Sequence, residues 1–347
     1  MNTRYQRQIM LPEIGEEGQN RMTKSHILVI GAGGLGCSAL TYLVASGIGK
    51  ITIIDNDIVS ENNLNRQVLY GLKDVGKSKV EIARKNLLVQ NRSIKIYAIN
   101  EELNLSNAKE LISNKDVVLD CTDNMPSRYL LSDVCELTGT PLVFAGIHRF
   151  QGQITVFHHK NKIGYRDLFP YDANKEQPSS CNENGVLGVV PGIIGTLQAN
   201  EVLKIIANFG DVLDGKMMIF NLLNAQSQIF KVNKSNGSKI VELAQLPEYE
   251  NLCQTEFANC ISVSEFFKMD LEKINLVDIR DEEELPKSKL KITSESDISE
   301  KTVVLLCQTG KRTRNVLPNW VIRYPEKIIY SLKGGVLALN ERLLIKT

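Results

Sequence analysis

The stretch Ile27-Leu-Val-Ile-Gly-Ala-Gly-Gly-Leu-Gly36 decides the fold. Its unbroken apolar run reads as a buried strand, its glycines as a tight turn, and the residues that follow as the start of a helix. Gly31, Gly33 and Gly36 fit the spacing G-x-G-x-x-G, with Gly34 inside it, and Asp55 closes a second apolar run, Ile51-Thr-Ile-Ile54. Glycines at these places let backbone N–H groups close on a nucleotide phosphate at a helix N-terminus, and an acid at the second strand end can hold a ribose hydroxyl. Read alone this is a generic nucleotide signal, familiar from NAD(P)-dependent oxidoreductases. The residues downstream point elsewhere.

After Asp55 comes Asn56-Asp57-Ile-Val-Ser-Glu-Asn-Asn63-Leu-Asn-Arg66-Gln67, and then Asp74-Val-Gly-Lys77-Ser-Lys79 leading into a helix expected over Val80–Leu88. Hydride transfer has no chemical need for a second acid, several amides, an arginine and a lysine at this point. A triphosphate does, because Arg66 can neutralise phosphate oxygens in a fork geometry and Lys79 adds a point charge. The strand Asp116-Val-Val-Leu-Asp120 ends in Cys121-Thr-Asp-Asn124. Strand C-termini face the ligand crevice of an open α/β sheet, so Asp123, with Asn124 beside it, could hold magnesium or orient the triphosphate. Taken singly, Arg66, Lys79 and Asp123 read as surface charges near strand ends. Taken together and in order, they read as an ATP site. An oxidoreductase would also need a nicotinamide-side catalytic group, and none stands out among the four histidines. A non-catalytic scaffold that binds a ubiquitin-like protein would not need all three charged residues.

Arg4-Tyr-Gln-Arg-Gln8, Gly31-Ala-Gly-Gly-Leu-Gly-Cys37, Asn63-Leu-Asn-Arg-Gln67, Asp120-Cys-Thr-Asp-Asn124 and Gly152-Gln-Ile-Thr-Val156 together resemble the ThiF/MoeB/HesA family over residues 4–232. These are bacterial relatives of ubiquitin-activating enzymes that adenylate the C-terminal glycine of a small sulfur-carrier protein. The resemblance implies that Gly33, Asp55, Asn63, Arg66, Lys79 and Asp123 form the ATP and magnesium site. It also implies that Arg7 is an arginine finger given by the other subunit of a homodimer. The chemistry agrees: a carboxylate attacks the α-phosphorus and pyrophosphate leaves, so the protein must bring two anions together and absorb charge.

Family members often carry a zinc bound by two C-x-x-C pairs. This chain has Gly164-Tyr-Arg-Asp167 where the first would stand and no cysteine in Lys231–Ser238, so no zinc site is expected. Tyr165-Arg-Asp-Leu-Phe-Pro170 is similar to a zinc-free subgroup. Cys181 lies in the polar, turn-rich Pro178-Ser-Ser-Cys-Asn-Glu-Asn-Gly-Val-Leu-Gly188, which reads as an exposed loop. By resemblance it is the loop cysteine able to attack the acyl adenylate, although Asn182 and Asn184 stand where small residues are usual. Cys37, Cys121 and Cys135 sit in apolar contexts and read as inert small hydrophobes. His158-His159 reads as a strand-end pair. The apolar stretch Ile193–Ala207 reads as a core or dimer helix, with no segment expected to span a membrane and no signal peptide.

The composition shifts at the polar run Asn233–Ser238, and a new α/β pattern begins at Ile261. The domains expected are an adenylyltransferase over 1–240, a linker over 241–260 and a small domain over 261–347. Val277-Asp-Ile-Arg280, Cys307-Gln-Thr-Gly-Lys-Arg-Thr313 and Leu332-Lys-Gly-Gly-Val336 resemble a rhodanese domain. A cysteine at a strand end, before a loop of N–H groups and a helix N-terminus, can carry sulfur as a persulfide, with Lys311 and Arg312 adding positive charge. Gly334-Gly335 reads as a turn that starts a helix, and Glu284–Ser299 as charged and irregular.

Lys plus Arg number 41 against 40 Asp plus Glu, so no general nucleic-acid surface is expected. Unpaired cysteines fit a reducing cytoplasm. The expectation is therefore α/β: a Rossmann-like adenylating domain with a mixed sheet, plus a small α/β rhodanese-like domain. With Mg-ATP it would activate a ubiquitin-like sulfur carrier ending in Gly-Gly, and take sulfur from a donor such as a cysteine desulfurase. Molybdopterin synthesis comes first as the pathway and thiamine thiazole second.

Overall fold

The computed structural model describes residues 3–170, 185–235, 242–243, 259–281 and 284–344. Its contacts divide the chain into two units, Met1–Tyr249 and Glu250–Thr347.

The first unit is built on an eight-stranded mixed sheet in the order β3-β2-β1-β4-β5-β6-β7-β8. The strands are β1 (His26–Ile30), β2 (Lys50–Ile54), β3 (Lys95–Ile99), β4 (Val117–Asp120), β5 (Leu142–His148), β6 (Gln151–Phe157), β7 (Lys216–Asn221) and β8 (Gln226–Lys231). The first five run parallel. Their central members are apolar along their length because helices cover both faces. The last three are antiparallel. Helices α1 (Gln6–Ile9), α2 (Gly15–Lys24), α3 (Gly34–Ser46), α4 (Lys79–Gln90), α5 (Leu105–Ile112), α6 (Met125–Thr138), α7 (Tyr165–Leu168) and α8 (Val189–Ala207) complete the unit.

One expectation needs correction. α8 is long and apolar enough by composition to cross a membrane. The fold shows why that reading is unnecessary: Val190, Ile194, Ala199 and Val202 are buried in the main core with Leu35, Ala39 and Leu43 of α3. A helix apolar around most of its circumference is what a core position between a sheet and another helix demands.

The second unit is a four-stranded parallel sheet, β10-β11-β12-β9, from β9 (Cys260–Ile261), β10 (Ile274–Asp278), β11 (Thr302–Leu306) and β12 (Ile328–Leu332). It carries α9 (Val263–Phe266), α10 (Lys311–Arg323) and α11 (Gly335–Leu344). Alternation along β11 feeds two cores: Val304 and Leu306 pack with Phe266, Leu332 and Leu339, while Val303 and Leu305 pack with Val277, Leu317 and Ile329. Between β10 and β11 the described residues form only a short 3-10 turn at Glu295–Asp297.

Candidate functional site

Register places the site. Ile30 pairs with Ile54 on one side and with Asp120 on the other, so Gly31, Asp55 and Cys121 leave three parallel strands along one edge. Gly31 has φ +97°, and a Cβ there would lie 2.6 Å from the Cys121 carbonyl oxygen. A Cβ on Gly36 would lie 2.1 Å from the Gly31 carbonyl oxygen. Both glycines are thus demanded by closure of strand, turn and helix. Gly34 lies under α8, its Cβ position 2.9 Å from Pro191 and 3.5 Å from Arg66 Cγ. Gly33 differs, because the nearest atom to a Cβ would be Gln67 Nε2 at 3.7 Å. It caps α3 without a side-chain bond, so the N–H groups of the first turn stay available to an anion.

Asp55 ties this turn to β2: Oδ2 accepts from the Ala32 amide at 2.7 Å and Oδ1 from the Asp57 amide at 2.7 Å. Each oxygen has a further lone pair for a ribose hydroxyl. Lys79 opens α4 at 5% exposure, and its Nζ lies 3.1 Å from Asp57 Oδ2. Asp57 therefore serves a buried lysine as its counter-ion. Arg66 donates from Nη1 to the Asn62 carbonyl at 3.1 Å and to Asn65 Oδ1 at 3.0 Å. Asn63 Nδ2 donates to Asn62 Oδ1 at 3.0 Å. The start of α8 presses on this segment, since a Cβ on Gly188 would lie 2.2 Å from the Asn65 carbonyl oxygen. The glycine turn, Arg66 and the start of α8 are thereby brought together. Burial pushes the Cys37 thiol up to about 11, and Lys79 and Asp55 both act on it electrostatically.

Asp123 and Asn124 are exposed at the exit of β4. Asn124 has a structural task, because its Oδ1 accepts from the Ser127 amide at 2.9 Å and caps α6. Sequence reasoning missed Asp120, which is fully buried. Its Oδ1 accepts from the Thr122 amide at 2.9 Å and from the Thr122 hydroxyl at 2.6 Å. Burial pushes this carboxyl above its ordinary range, and Arg128 pulls it back. An acid ending an otherwise apolar strand was the available signal.

Arg7 is exposed. A basic N-terminal segment ordinarily frays, but this one is pinned. Tyr5 is buried, its hydroxyl accepts from Asn91 Nδ2 at 2.9 Å, and Gln8 Nε2 donates to the Ser46 carbonyl at 3.1 Å. Cys181 lies outside the described residues. Cys37, Cys121 and Cys135 are buried, and burial raises all three thiols.

The corner expected to lack a metal has a clasp of its own. Asp167 Oδ2 accepts from the Gly164 amide at 2.8 Å, and its Oδ1 accepts from the Ser235 amide at 2.7 Å and hydroxyl at 2.9 Å. His158 is 7% exposed, with Nε2 at 2.8 Å from Ser132 Oγ. Burial lowers its pKa to about 4. A magnesium ion bound with a triphosphate asks for only one or two carboxylates. Asp123, exposed where β4 exits next to the β1 glycine turn, fits that need.

In the second unit Cys307 follows β11 and is buried at 1% exposure. Its Sγ accepts from the Gly310 amide at 3.1 Å and lies 3.8 Å from Thr313 Oγ1. Gly335 packs on this loop, with its Cβ position 2.1 Å from the Cys307 carbonyl oxygen, and Gly334-Gly335 does start a helix. Arg312 holds Glu284 at 2.5 and 2.9 Å. Its charge is shared with that carboxylate and also acts on Cys307 electrostatically. The Lys311 side chain lies outside what is described.

A model of the ThiF family matches residues 5–241. The chain is 42% identical over 255 residues to the adenylyltransferase and sulfurtransferase MOCS3 of Xenopus laevis, covering 72% of this chain and 56% of that one. It thus spans about half the length of that relative. It is 34% identical to a probable molybdopterin-synthase adenylyltransferase of Porphyra purpurea, covering 99% of this chain and 96% of that one. Among solved structures, E. coli MccB with ATP matches with a TM-score of 0.61 at 21% identity, over 70% of this chain and 74% of that one. That last likeness speaks to the fold.

Proposed function

The chain belongs to the ThiF family, and from that premise we propose that it is an adenylyltransferase for the C-terminal glycine of a ubiquitin-like sulfur carrier. The observation that carries the reading is Arg66, laid against a glycine turn whose helix is uncapped, with buried Lys79 at the start of α4. An NAD(P) site can use one cation on a phosphate, but hydride transfer gives no reason for an arginine and a buried lysine together.

A carrier carboxylate oxygen attacks the α-phosphorus of ATP, and the bond to pyrophosphate breaks. The amides at the start of α3 and the Arg66 and Lys79 cations take up charge on the phosphates. Asp55 holds the ribose. Magnesium, held by Asp123, would draw further charge from the leaving group. Arg7 acts across a homodimer, which its place on a pinned and exposed segment favours. Sulfur then passes from a Cys307 persulfide to the acyl carbon and AMP leaves. A thiol reductant then takes the Cys307 sulfur into a disulfide and frees the thiocarboxylate; Cys181 is the candidate for a thiol that can first take the acyl group from AMP as a thioester. The names of both relatives favour this reading, and that of the Porphyra purpurea protein favours molybdopterin synthesis. A reducing cytoplasm suits its free thiols, and a persulfide donor such as a cysteine desulfurase is the expected sulfur source.

The test is mass spectrometry of a Gly-Gly-terminated carrier incubated with the protein, Mg-ATP and a persulfide donor. The reading expects a thiocarboxylate that requires ATP. An unchanged carrier, with hydride transfer to or from NAD(P) instead, overturns it.

A further inference from the structure

Asp120 and Arg128 are buried, at 0% and 9% exposure. Two opposite charges in a core are costly unless they satisfy each other. Here Asp120 Oδ2 and Arg128 Nε have no hydrogen-bond partner, and both side chains reach Thr122 instead. Asp120 Oδ1 accepts from the Thr122 amide at 2.9 Å and from its hydroxyl at 2.6 Å, while Arg128 Nη2 donates to the Thr122 carbonyl at 3.1 Å. All three polar groups of Thr122 are therefore engaged. Arg128 also lies over the Phe144 ring, 5.2 Å from its centroid, a cation–π contact that helps hold the guanidinium. On the far side of Asp123, Asn124 is held as the cap of α6. A loop gripped at both flanks leaves Asp123 exposed between them.

We propose that Asp120 and Arg128 are positioning residues, which clamp Thr122 so that Asp123 meets the magnesium triphosphate in one fixed place. The inference rests on the nucleotide reading of Asp123. Asp120 and Arg128 offset each other's charge, and by gripping Thr122 from both sides they also remove the ordering that the loop would otherwise undergo when metal binds.

The experiment measures the magnesium concentration for half-maximal carrier-dependent ATP–pyrophosphate exchange, and kcat at saturating magnesium, in the full chain. Thr122→Val keeps the shape and removes the hydroxyl. A hydrogen bond to a charged group is worth about tenfold or more in an equilibrium. Thr122→Val should raise the magnesium requirement about tenfold, with a smaller change in kcat. Thr122→Ser, which restores the hydroxyl, should bring it back. Arg128→Lys should shift it the same way as Thr122→Val if it folds. A purely structural role would not single out the magnesium requirement. An active wild type whose Thr122→Val variant has an unchanged requirement overturns the clamp. A wild type without exchange overturns the adenylation reading and this inference with it.

Discussion

His158 gives a prediction whose size follows from its surroundings. Ser132 Oγ accepts from the Tyr165 amide at 3.0 Å and lies 2.8 Å from His158 Nε2, so the buried imidazole has a polar partner. Protonation would bury a charge. Burial, with Lys234 adding to it and Asp167 opposing, brings the pKa from an ordinary 6.5 to about 4. In this window the unfolded chain binds the proton and the folded chain does not, so the unfolded state gains as pH falls. His158 stabilises the fold above the unfolded pKa of 6.5, and that contribution is lost progressively down to about 4. Between about pH 7 and about pH 5 the linkage amounts to about 2 kcal/mol. The perturbation is His158→Gln, which keeps a polar tip for Ser132 and does not titrate. Urea unfolding of the full chain by circular dichroism, at both pH values, should show the first unit of the wild type losing about 2 kcal/mol more than that of the variant. The single tryptophan, Trp320, lies in the second unit, and its fluorescence should report no difference between the two proteins. Equal pH dependence of the first unit in both would refute the neutral, desolvated imidazole.

The other predictions concern subunits, sulfur and metal. Arg7→Ala and Asp123→Ala should each be inactive, yet regain partial exchange when mixed, because one hybrid site keeps both residues; no recovery with subunit exchange confirmed would place Arg7 outside its partner's site. Cys307→Ser should keep carrier-dependent exchange and lose sulfur transfer from a persulfide donor, whereas equal transfer would make the second unit a docking module. Cys181→Ser should likewise keep adenylation, which needs no enzyme nucleophile, and only slow thiocarboxylate formation. Elemental analysis should give no stoichiometric zinc, and about one zinc per chain would show an overlooked ligand set.

The sequence revealed most where local and global signals agree. Ile27–Gly36 announces strand, turn and helix because its apolar run and its glycines each allow little else. β3, β5, β7, β8 and β12 were not read. β8, Gln226–Lys231, is exposed along its whole length and so has no apolar alternation for a core to impose. The site was legible as an ordered set of charges, but not in its division of labour. Asp57 turned out to be the counter-ion of Lys79, Asn124 a helix cap, and Arg312 the partner of Glu284. Each is a contact between residues distant in sequence or a local cap, and residue type alone does not separate those from ligand contacts. Asp120 and Arg128 escaped notice because burial is a tertiary fact, and their charge suggested the surface.

The most direct test of the central claim is exchange of labelled pyrophosphate into ATP by the full chain with magnesium and a Gly-Gly-terminated carrier. The account predicts exchange that vanishes when the carrier lacks its last glycine and falls about 100-fold or more in Asp123→Ala or Arg66→Ala with the fold intact. Exchange that ignores the carrier, or that survives both substitutions near the wild-type rate, would contradict it.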